Sequence, residues 1–232
     1  MLFSGTKVSD LSKASIAIIV AGFVLVAGAF YFFFELAGEV LEDEKIRVDK
    51  AATDFVEWIS TPWLDQTWGA ITETGSVMWV SIASIILLVY LLFFSPFSRW
   101  VAIYFAVNMI GISALTKVLK LIFERQRPEV LAQYDGVGFS FPSGHSTGSM
   151  VFYGFLIYLI VISRLKKGWK WLINILLVLL ILSVGSSRIY LGVHYFTDVL
   201  AGFLFGLAWL AICIAALEIT LWNQRRRQLR KQ

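Results

Sequence analysis

HYFTDVLAGFLFGLAWLAICIAALEITLWNQRRRQLRKQ, residues 194–232, decides the fold. From Thr197 to Leu221 only Asp198 and Glu218 carry charge, and the basic run Arg225, Arg226, Arg227, Arg230 and Lys231 follows. A helix crossing the roughly 30 Å hydrocarbon layer needs about 20 apolar residues, so this stretch reads as a membrane span with a basic end. Five more runs upstream qualify, giving six expected spans at about 15–37, 77–95, 99–119, 144–163, 170–187 and 197–221. The composition agrees: 58% of the 232 residues are hydrophobic and 16% are charged, against about 25% charged in soluble domains. An ordinary soluble protein is excluded. One cysteine, Cys213, and two histidines furnish neither an internal disulfide nor a Cys/His zinc cluster, and no metal site is expected.

Lys and Arg in short loops are retained on the cytoplasmic side, which orients the spans. The basic tail and the loop with Arg164, Lys166, Lys167 and Lys170 belong inside, as does the N-terminus with Lys7 and Lys13. The first apolar run exceeds a signal-peptide core and reads as a retained anchor. The net charge of +4 is therefore topological, and no nucleic-acid partner is expected. Gly38–Ser76, with nine acidic and three basic residues, falls outside. There Val48, Ala51, Ala52, Phe55, Trp58 and Ile59 recur at a helical period, followed by Trp63 and Trp68, and predict a helix in the interface plane. Thr61-Pro62 reads as an N-cap and first residue of a further short helix. The expectation is an all-α bundle of six transmembrane helices with both termini cytoplasmic. It forms one membrane domain over 1–232, with a core at about 99–221 and an external segment at about 38–76.

Lys117, Lys120, Arg125, Arg127 and Arg188 break the charge rule by falling at outer helix ends, which suggests a site for an anionic group. Lys117 and Arg125 read as interfacial anchors. Lys120, Arg127 and Arg188 can surround a phosphate, the guanidiniums through paired hydrogen bonds. Both histidines, His145 and His194, fall at the same face. His194 and Asp198, four apart at a helix start, share a face, so the carboxylate can hold Nδ1–H and leave the other nitrogen to attack phosphorus. Pro142-Ser143-Gly144-His145 reads as a sharp helix entry capped by Ser143, with amides directed at an anion and His145 placed to protonate a leaving oxygen. The two histidine clusters alone also fit plain helix starts, and the cations alone also fit interfacial anchoring. Gly202 and Gly206, and Ser183 to Ser187, read as close helix contacts; Asn108 and Asn174 read as interhelical hydrogen-bond partners, and Cys213 as packing.

Together Lys120-x6-Arg127-Pro128, Pro142-Ser143-Gly144-His145 and Ser187-Arg188-x5-His194-x3-Asp198 resemble the three-part signature of the type 2 phosphatidic acid phosphatase (PAP2) superfamily. The likeness is to its bacterial integral-membrane branch of phosphatidylglycerophosphatases and undecaprenyl-diphosphate phosphatases. The resemblance implies a core shared with vanadium haloperoxidases and a metal-independent, cofactor-free lipid phosphatase. In it His194 is the nucleophile, Asp198 orients it, His145 protonates the leaving group, and Lys120, Arg127, Ser143, Gly144 and Arg188 hold the phosphate. The expected enzyme is a multi-pass protein of the bacterial plasma membrane that hydrolyses phosphatidylglycerol phosphate at the outer face through a phosphohistidine. Undecaprenyl diphosphate is the close second choice of substrate and phosphatidic acid a further one; the alternative within the family is an enzyme acting mainly on undecaprenyl diphosphate in cell-wall lipid recycling. A transporter of anionic lipid without chemistry is the alternative from another class. Against it, the spans hold almost no ionisable residue at mid-depth. Oligomeric state is not legible.

Overall fold

The computed structural model describes residues 13–42, 47–128 and 138–229; Lys7, Arg230 and Lys231 lie outside them. Among the described residues the protein is helical, with α1 (Lys13–Leu41), α2 (Arg47–Ile59), α3 (Pro62–Glu73), α4 (Val77–Phe93), α5 (Arg99–Phe123), α6 (Gly144–Ile162), α7 (Lys167–Tyr190) and α8 (Phe196–Leu229). Six segments are long and apolar enough to cross a membrane, and the chain is a multi-pass membrane protein. Helices α3 and α4 form one such segment, Pro62–Phe93, in place of a span starting at Val77. Large apolar residues such as Phe23, Ile85, Ile110 and Leu176 are exposed, as expected of surfaces that face lipid.

Helix α8 is central, packing against α6, α1 and α5, while α7 packs on α6. Gly202 sits where α8 meets the start of α6: a Cβ there would lie 2.8 Å from the Ser143 carbonyl oxygen and 3.0 Å from Ser146 Cβ. At Gly206 it would lie 3.0 Å from the Thr147 carbonyl. The two glycines therefore permit the approach that brings the starts of α6 and α8 together. Replacing Gly202 by Val should cost on the order of 1–3 kcal/mol by overpacking. A lowered melting temperature in detergent, with loss of activity, checks this against Gly148→Ala, where an added Cβ meets nothing within 4 Å.

Helix α1 reaches the same end of the bundle through Phe33, whose ring lies 5.1 Å from that of Phe205 and 5.9 Å from that of Phe141. Phe141 is fully buried, and Phe123 packs on it edge-on at 4.9 Å. These rings fix the end of the 124–143 connection.

The segment between α1 and α4 is more than an interfacial strip. Helix α2 turns Asp49, Ala52, Val56 and Ile59 toward the protein, and Val56 and Ile59 pack against Tyr190, Leu191 and Val193. Phe55 and Trp58 remain exposed; Trp58 follows Asp49 by nine residues, about two and a half turns, and so projects from the opposite side. Thr61 caps α3 by accepting from Leu64 N–H at 3.4 Å, as the Thr61-Pro62 step predicts. Tyr190 donates to Asp65 at 2.8 Å and accepts from the Thr61 amide at 3.2 Å, tying α3 to the end of α7.

Candidate active site

The ends of α5 and α7 and the starts of α6 and α8 meet at one end of the bundle, where Arg125 and the Ser143 amide both bond to Asp198. Between α7 and α8 the turn passes through Gly192 at φ 65°, a left-handed value that glycine adopts without a Cβ penalty. The Arg188 carbonyl accepts from the amides of Val193 and His194, both at 3.2 Å, and so anchors the backbone of His194 to the end of α7.

His194 Nδ1 lies 3.3 Å from Asp198 Oδ2, the contact expected of residues four apart at a helix start. The same carboxylate oxygen accepts from the Tyr195 amide at 2.9 Å, so Asp198 also caps α8. The far side of the ring, Nε2, lies 3.2 Å from Arg127 Nη1, a donor in every protonation state. Nε2 must then hold the lone pair and Nδ1 the proton, the tautomer in which Nε2 is nucleophilic. Burial pushes the His194 imidazole down to about 4; Asp198 opposes this by hydrogen bond and charge, while Arg127 and Lys120 reinforce it. The ring is neutral at pH 7. The acid limb of kcat/KM, measured on a substrate whose phosphate does not titrate between pH 4 and 7, should therefore lie below the ordinary histidine value of about 6.5. A limb at or above that value contradicts the arrangement.

His145 is the second residue of α6 and is buried. Arg188, His194, Arg127 and Lys120 all lie near enough to act on it electrostatically. The Ser143 amide donates to the Asp198 carbonyl at 3.0 Å, which stitches the start of α6 directly to the start of α8. This corrects the sequence expectation for Ser143: its amide is spent on Asp198 and is not offered to an anion. Its Oγ caps the helix, accepting from the Ser146 amide at 3.4 Å and the Ser146 hydroxyl at 3.0 Å, which leaves its own O–H as the donor. Gly144 begins the helix, where first-turn amides have no intrahelical acceptor.

Lys120, Arg127 and Arg188 lie near enough for both guanidiniums to act on the Lys120 ammonium by charge. Lys120 Nζ donates to the Phe139 carbonyl at 2.6 Å. Arg127 donates to the carbonyls of Gly138 at 2.8 Å and Val193 at 3.0 Å, besides its contact with His194. Arg188 is buried and donates from Nη1 to Thr72 Oγ1 of α3 at 2.8 Å.

Arg125 departs from its expected role. Lys117 is exposed, as an interfacial anchor should be, but Arg125 turns inward. Helix α5 ends at Phe123 and Glu124 takes a left-handed φ of 45°, which redirects the chain. Arg125 Nη1 donates to Asp198 Oδ1 at 2.6 Å and Thr197 Oγ1 at 2.9 Å, and Nη2 to Asp49 Oδ2 at 2.8 Å. Its guanidinium lies 4.1 Å above the Tyr195 ring. Burial works against its charge, but Asp198 and Asp49 outweigh that and hold the guanidinium above its ordinary value.

The sequence pattern of the PAP2 superfamily matches residues 100–222. The chain belongs to that superfamily. A PAP2 relative, phosphatidylglycerophosphatase B of Bacillus subtilis strain 168, is 33% identical over 180 residues, 77% of this chain and 87% of that protein. The crystal structure of a transmembrane PAP2-type phosphatidylglycerolphosphate phosphatase from Bacillus subtilis superposes with a TM-score of 0.76 at 28% identity, covering 84% of this chain and 96% of that one. An undecaprenyl-diphosphatase of Sulfolobus acidocaldarius is 27% identical over 133 residues, 53% of this chain and 58% of that protein. The PAP2 assignment and these relatives make the chain a lipid phosphatase.

Proposed function

We propose that the chain hydrolyses phosphatidylglycerol phosphate at the outer face of the bacterial plasma membrane in two steps. The observation that carries this reading is the line from Asp198 Oδ2 through the His194 ring to Arg127, with contacts of 3.3 Å and 3.2 Å. It sets a lone pair beside an anion-binding cation. Lys120, Arg127, Arg188, the Ser143 hydroxyl and the Gly144 amide hold the phosphate. His194 Nε2 forms a bond to phosphorus as the P–O bond to the lipid breaks, and His145 gives its proton to the departing alcohol oxygen. Asp198 stabilises the imidazolium. His145, now neutral, takes a proton from water; the water oxygen bonds to phosphorus, the P–N bond breaks, and inorganic phosphate leaves with the pair returned to Nε2.

Undecaprenyl diphosphate is the second substrate. It is favoured by the likeness to the Sulfolobus relative and by a chemistry that needs only a terminal phosphate on a membrane-borne leaving group. A panel of phosphatidylglycerol phosphate, undecaprenyl diphosphate and phosphatidic acid, compared by kcat/KM for phosphate release from purified protein, tests both choices. The first should exceed the others, in EDTA as without it, and vanadate should inhibit. Loss of turnover on chelation, or binding without release, contradicts the proposal. Release of phosphate on the external side of right-side-out vesicles tests the orientation.

A further inference from the structure

We propose that Asp49 is a positioning residue for the phosphatase reaction, acting through Arg125 to set how much of the Asp198 charge is available to His194. The proposal rests on the reading of His194 as nucleophile. Asp49 lies on α2, and its side chain is 6% exposed. Its oxygens accept from the Thr197 amide at 2.9 Å, the Thr197 hydroxyl at 2.8 Å and Arg125 Nη2 at 2.8 Å. Thr197 and Asp198 are adjacent in the first turn of α8, so Asp49 grips the helix start that carries the carboxylate partner of His194.

The charges form a chain. Arg125 divides its guanidinium between Asp49 and Asp198 Oδ1, and Asp198 divides its carboxylate between Arg125 and His194 Nδ1. An Arg shared by two carboxylates draws less on either than an Arg facing one. While Asp49 is charged, Arg125 is partly satisfied and Asp198 keeps charge for the imidazolium that forms during attack. Without that charge, Arg125 would draw on Asp198 alone. A tether that merely held α2 in place would need the Thr197 contacts but not the forked guanidinium.

The groups facing His194 are Asp198 of α8, Arg127 and Lys120 from the end of α5, His145 of α6 and Arg188 of α7, with Arg125 behind Asp198. Two opposite substitutions separate the roles. Asp49→Asn keeps shape and an acceptor for the Thr197 amide; it should lower kcat about tenfold with KM within about twofold, and move the acid limb of kcat/KM down by about half a pH unit, as loss of a nearby charge does. Arg125→Gln should move the limb up, because Asp198 then serves His194 alone. In the Arg125→Gln background, Asp49→Asn should move it no further, which reports action through Arg125. The comparison of Arg125→Gln with the double variant still decides the matter where Asp49→Asn alone does not fold. Measured on detergent-purified full-length protein with one lipid phosphate, substrate ionisation cancels between variants. Limbs that stay in place, limbs that move in the same direction, or a further shift in the double variant overturn the proposal. An active wild type with unshifted limbs sinks only this inference; a wild type that releases no phosphate sinks the reading beneath it.

Discussion

Replacing His194 by Ala is expected to reduce phosphate release by a factor on the order of 10⁴ to 10⁶, the range seen when a nucleophile is deleted. Arg127, the described side chain in contact with Nε2, is a donor only and cannot attack in its stead. The loss should be confined to chemistry. The turn that carries residue 194 is held by backbone bonds to the Arg188 carbonyl, and Asp198 keeps Arg125 and the Tyr195 amide as partners. A melting temperature and elution profile close to the wild type, beside absent turnover, is the expected pair of results. Appreciable turnover in the variant would move the nucleophile elsewhere.

His145→Asn should show a loss that depends on the leaving group. With a lipid alcohol departing, the expected drop in kcat is about 10² to 10⁴, the usual contribution of a positioned acid. With an activated aryl phosphate, whose phenolate leaves without a proton, the deficit should shrink to about tenfold or less. His145 is the second residue of α6, and its neighbour Ser143 caps that helix independently of it, so the fold should survive. Equal deficits for both substrates would remove His145 from acid catalysis and leave it a share in binding.

The six apolar segments and the three clusters were legible because each is local. An apolar run, a Ser-Gly-His helix entry and a His-x3-Asp spacing declare themselves within a few residues. Even the Gly202 and Gly206 pair, read as a helix contact, lies where α8 meets α6. Three features were not legible. Arg125 reads as an anchor when α5 is extended past it, and only the left-handed Glu124 shows that the chain has turned inward. Asp49 lies off the face that the recurrence of Val48, Ala51, Ala52, Phe55, Trp58 and Ile59 marks, and its partners are 76 and 148 residues away in sequence. The Ser143 amide has its acceptor in the Asp198 carbonyl, a tertiary bond with no sequence mark. The one available signal was a lone acidic residue in line with Ala52, Val56 and Ile59: a carboxylate turned toward apolar packing implies a cation to match it.

The account turns on a covalent bond between His194 Nε2 and the phosphoryl group. Protein turning over a lipid carrying ³²P in its terminal phosphate, quenched with alkali within milliseconds, should hold label that survives base, is lost in acid, and maps to the peptide bearing His194. Under the same quench His145→Asn protein should still form it from an activated aryl phosphate. Phosphate released at the full rate with no labelled protein at any quench time, or label mapped to another residue, would contradict the account.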